Sequence, residues 1–69
     1  MNLFIECSVS GIGVDFVGTV DEALQFINEK LLNDNDFTKM VVWFGNQRVA
    51  EAKKIKIGNK THLQTWVRK

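Results

Sequence analysis

His62 and Cys7 are the two side chains best suited to nucleophilic or metal chemistry, and each is the only one of its type among 69 residues. A structural zinc site normally takes four Cys, His or carboxylate ligands, so one Cys and one distant His do not make one. A Cys-His pair or a Ser-His-Asp triad would have to be built on His62. That residue falls mid-strand in an alternating segment, where an ordinary sheet histidine is the simpler reading. Cys7 alternates with Ile5 and Val9, the pattern of a small buried hydrophobe and not of a reactive thiol. Asp21 and Glu22 are adjacent carboxylates, but their position at a helix start already gives them capping and dipole roles. Gly11-Ile12-Gly13 resembles a fragment of a phosphate-binding loop. It lacks the third glycine and the Lys-Ser/Thr pair, so it reads as a hairpin turn. The expectation is a protein that is not an enzyme, with no metal, no cofactor and no small-molecule substrate.

The elements that would position any site follow from local pattern. Residues 2–9 alternate, with Leu3, Ile5, Cys7 and Val9 on one face, as in a half-buried strand. Ser10 to Gly13 reverse the chain, and residues 14–17 form a second short strand with Val14 and Phe16 on one face. Thr19-Val20-Asp21-Glu22 is a capping box, with Thr19 as N-cap and Glu22 three residues on. Val20, Ala23, Leu24, Ile27 and Leu31 then recur at helical spacing, and Asn33-Asp34-Asn35-Asp36 ends the helix. Residues 37–44 are apolar on both faces, which predicts a central strand. Gly45-Asn46 and Gly58-Asn59 are two-residue hairpin signals of the II′ kind. They join residues 37–44, 48–57 and 61–67 into a meander. The fold class is therefore α+β over residues 1–69 as a single domain: one helix packed on a mainly antiparallel five-stranded sheet, in the order β-β-α-β-β-β.

Two-residue loops also imply a register. Trp43 would face Arg48, Val42 would face Val49 and Val41 would face Ala50; beyond the second turn, Ile55 would face His62 and Ala50 would face Val67. Paired residues share a face. Val41, Trp43, Ala50, Ala52, Leu63, Thr65 and Val67 then form one face, assigned to the helix because the alanines let it lie close. The other face holds Met40, Val42, Phe44, Val49, Ile55, Ile57 and Trp66. One helix cannot cover both. Either a bulge near Lys53-Lys54 flips the parity, or a large apolar patch faces outward, as protein interfaces do.

Size and charge bear on partners. A domain of this length buries only about 60% of its unfolded surface, and without disulfide or metal the remaining route to stability is association. No segment has the roughly 20 apolar residues of a membrane span. The N-terminus has no basic region of a signal peptide, and a lone cysteine suits a reducing, cytoplasmic setting. Residues 1–38 carry a net charge of −6 and residues 39–69 a net charge of +7. An acidic helix and a basic sheet attracting each other within the fold is one account of this asymmetry; an acidic partner for the basic half is the other.

The leading expectation is a small protein-binding module, of a kind that suits a small regulator or inhibitor. It would self-associate as a homodimer or dock a protein through the uncovered sheet face, with Met40, Val42, Phe44, Val49 and Trp66 as anchors. The alternative is nucleic-acid binding by the basic C-terminal meander through Arg48, Lys53, Lys54, Lys56, Lys60 and Arg68, with an aromatic platform from Trp66 or Trp43 and Phe44.

Overall fold

The computed structural model describes residues 1–8 and 12–68. The expected strand placement of Val9, the Ser10-Gly11 part of the first turn, and Lys69 lie outside the described residues. The chain forms β1 (Asn2–Cys7), β2 (Gly13–Val17), α1 (Val20–Asn33), β3 (Lys39–Phe44), β4 (Gln47–Ile57) and β5 (Lys60–Val67). The strands make one antiparallel sheet in the order β2-β1-β3-β4-β5, which puts apolar β3 at its centre.

Helix α1 starts where its capping box says it should. The Glu22 N–H donates to Thr19 Oγ1 at 3.1 Å, and the Thr19 N–H donates to Glu22 Oε1 at 2.9 Å. Two orphan donors of the first turn are thereby satisfied. The backbone bond from Thr19 holds the Glu22 carboxyl below its ordinary range. At the other end Asp34 makes an Asx turn, accepting from the Asp36 N–H at 2.9 Å, and Lys54 reaches up from β4 to donate to the Asp34 carbonyl at 2.9 Å. A cation at this end also opposes the negative pole of the helix.

One stripe of the helix, Ala23, Ile27 and Leu31, is fully buried on Leu3, Ile5 and Cys7 of β1, Met40 and Val42 of β3, and Val49, Ala50 and Ala52 of β4. The two alanines lie beneath the helix as expected. At the β2 edge Phe16 and Phe26 stack with ring centroids 5.6 Å apart. Both meander turns have glycine at a φ near +60°, Gly45 at 62° and Gly58 at 63°, with no positive φ at the asparagines. That is the type II′ requirement.

The register of the second hairpin is the expected one, with Ile55 opposite His62 and Ala50 opposite Val67. The first hairpin differs. Trp43 faces Arg48, but Val42 faces Ala50 and Val41 faces Glu51, so Val49 is an extra residue in β4. A bulge does occur, then, but at Val49 and not near Lys53-Lys54. It exchanges the expected faces of β3. Met40, Val42 and Val49 are buried under the helix, and Val41 and Trp43 point to the other side of the sheet.

Candidate functional site

No backbone element among the described residues covers the face opposite α1. Strand pairing places on it Phe4 and Glu6 of β1, Gly13, Asp15 and Val17 of β2, Lys39, Val41 and Trp43 of β3, Arg48, Glu51, Lys53 and Ile55 of β4, and Lys60, His62, Gln64 and Trp66 of β5. Phe4 is 44% exposed, Trp66 40% and Val17 77%. The small size of the domain makes so many part-exposed apolar side chains on one face a distinct feature.

The two indoles are held in place by carboxylates. Trp43 donates its indole N–H to Glu6 Oε1 at 2.9 Å, and Trp66 donates to Glu51 Oε2 at 2.7 Å. Glu51 Oε1 is at 2.9 Å from Lys39 Nζ, the one ion pair among the described residues. The hydrogen bond from Lys39, joined by that from Trp66, holds the Glu51 carboxyl below its usual range against the opposing effect of burial. Val41 lies between Glu6 and Glu51 in register and is only 5% exposed, although no second layer covers it. Phe4 lies over Gly13 so closely that a Cβ there would fall inside the ring's van der Waals envelope. A shallow depression of about 370 Å³ beside Trp66 is lined by Glu51, Lys53, Gln64 and Thr65.

The expected interface residues are divided by this geometry. Trp66 lies on the open face. Met40, Val42 and Val49 belong to the core and cannot serve as exposed anchors. Phe44 is 48% exposed but sits at the end of β3, in register with the helix side of the ladder. Phe4 was missed as a surface aromatic, and Trp43, assigned to the helix face by the expected register and offered as a platform only in the nucleic-acid alternative, lies on the open face. The basic patch also splits. Arg48, Lys53 and Lys60 are on the open face, whereas Lys56 and Lys54 alternate to the helix side, and Lys54 is tied to the helix C-terminus. Arg68 follows the end of β5, its N–H bonded to the Val49 carbonyl.

Cys7 lies buried beneath the helix, and burial pushes its thiol up. His62 is exposed on the open face, so the sheet separates the two. No group of three or more His, Cys, Asp or Glu side chains placed to hold a metal occurs among the described residues. None of the described helices is long and apolar enough to cross a membrane. Comparison with protein-family models, curated proteins and solved structures found no match.

Proposed function

We propose that this domain is a small non-enzymatic binding module that docks a protein through its uncovered sheet face, in the manner of a regulator or inhibitor in a reducing, cytoplasmic setting. The observation that carries the reading is the set of Phe4, Trp43 and Trp66 around Arg48, with both indoles oriented by glutamates. Trp and Arg are the types that dominate binding hot spots, and side chains already held in place lose less entropy on docking.

The same glutamates argue against the nucleic-acid alternative. A base stacking on either indole would bring its phosphate near Glu6 or Glu51, and the bases that would offset them are divided between two faces of the sheet. A protein partner can meet mixed charge with mixed charge.

Photo-cross-linking in cells tests this reading. A benzophenone side chain replacing Gln64, on the open face, should give adducts with polypeptide. The same group replacing Gln25, on the exposed side of α1, should give none. Adducts with nucleic acid from position 64, or protein adducts from position 25 alone, would refute the proposal.

A further inference from the structure

We infer that the occupant of this face is a second copy of the chain, packed sheet to sheet about a two-fold axis that runs along β3. The inference rests on the protein-binding reading above and adds the identity of the partner. What points to it is the way charge is sorted across the face. The β2 and β1 side carries Asp15 and Glu6; the β4 and β5 side carries Arg48, Lys53 and Lys60. Between them Lys39 and Glu51 balance each other at 2.9 Å. Asp15, Arg48, Lys53 and Lys60 make no ion pair among the described residues. Two of the seven acids of residues 1–38, Glu6 and Asp15, reach this surface, the others lying on α1 and the turn after it.

Such a surface is complementary to itself under one rotation. A two-fold axis parallel to the strands sets β2 and β1 of one copy over β5 and β4 of the other, which brings Asp15 of each copy beside the partner's Arg48, since both lie in the row of Phe4 and Trp43. An axis across the strands would set acid over acid and base over base, at a cost in repulsion. The favoured axis also keeps the strands of the two sheets nearly aligned, the usual packing of β-sandwiches. Gly13, Glu6, Val41, Glu51 and Trp66 lie in one row across the sheet. The same rotation brings Trp66 of each copy against the Phe4 ring that lies over the partner's Gly13. It also brings Glu6 near the partner's Glu51, whose charge Lys39 already balances.

The available area suits a reversible dimer. Five strands spaced about 4.8 Å apart and roughly 20–25 Å long present on the order of 500–600 Å² per copy. The total of roughly 1,000–1,200 Å² is at the lower end for a specific interface. Association should therefore depend on concentration within an accessible range.

Sedimentation of the full chain from micromolar to millimolar concentration provides the test, with Asp15→Lys and Arg48→Glu as variants. Both positions are exposed and lie outside the core, and circular dichroism checks that each variant folds. Each reversal disturbs two symmetry-related contacts and should weaken the dimer about tenfold. Mixed together, the two variants restore acid-base pairing at both contacts, so the heterodimer should form more tightly than either homodimer. A monomer at millimolar concentration overturns the inference. So does a dimer unmoved by either reversal, or a mixture no tighter than its components. A monomer that still cross-links to other polypeptides from position 64 overturns only the second copy, whereas one that cross-links to no protein overturns the protein-binding reading as well.

Discussion

Glu51 is where the open face and the stability of the fold meet, and replacing it by alanine separates the two. Its side chain is 14% exposed and accepts from Lys39 on one oxygen and from the Trp66 indole on the other. The bond from the more exposed Lys39 should contribute about 0.5 kcal/mol. The indole bond to a charged acceptor should add about 1 kcal/mol. Glu51→Ala is then expected to cost about 1.5 kcal/mol, or about 6–12 °C in Tm for a domain of this size. The carboxyl's folded pKa lies below its ordinary value, so its contribution is present above that ordinary value and is lost as pH falls through the folded one. The difference between wild type and variant should be constant near neutral pH and close in acid. Urea denaturation followed by tryptophan fluorescence across pH measures it, and a double-mutant cycle with Trp66→Phe isolates the indole bond. A difference below about 0.3 kcal/mol at neutral pH, smaller than the usual error of additivity, would refute the reasoning. So would a difference that persists unchanged into acid.

Other substitutions probe the scaffold. Thr19→Ala should lower stability by about 1 kcal/mol through loss of the N-cap, seen as a lower urea midpoint with the same slope. The Glu22 carboxyl titrates below its ordinary value because of the Thr19 bonds, so its charge strengthens the cap above that value and the gain is lost as pH falls through the folded one; the wild type should show this loss of helix content in acid by circular dichroism, and Glu22→Gln should not. Lys54→Met keeps the aliphatic stem but removes the donor to the Asp34 carbonyl, at about 0.5–1 kcal/mol, with faster amide exchange in the last turn of α1. Cys7 should react with a thiol reagent only at the rate of opening of the core, and at the free-thiol rate in denaturant; fast labelling of the native protein would contradict its burial beneath the helix.

The parts legible in the sequence are those set by neighbours along the chain. Thr19 and Glu22 are three residues apart, the helix stripe repeats every three or four, and each Gly-Asn turn encodes its own conformation. Even the pairing of Ile55 with His62 follows from a two-residue loop. The face of β3 was not legible, because Val49 bulges without any glycine or proline to signal it. One extra residue sends Met40 and Val42 under the helix and Trp43 to the opposite side, since parity propagates along a strand. The indole-carboxylate pairs were equally hidden, as they join residues on different strands. Their traces in the sequence are Glu6, the one charged residue of residues 2–9, and Glu51, the one acid of residues 39–69. Charge segregation was visible early, but only the strand order β2-β1-β3-β4-β5 turns it into a surface with an acidic and a basic side.

The central claim, that the uncovered sheet face is the working surface and a second copy its occupant, is tested most directly by a dilution series of amide and indole NMR spectra. With increasing concentration, the indole signals of Trp43 and Trp66 and the amides of Phe4, Asp15, Arg48 and Lys53 should shift together, while those of residues 20–33 stay fixed. Shifts confined to the helix or to the exposed edge of β5, or none at all up to millimolar concentration, would contradict the account.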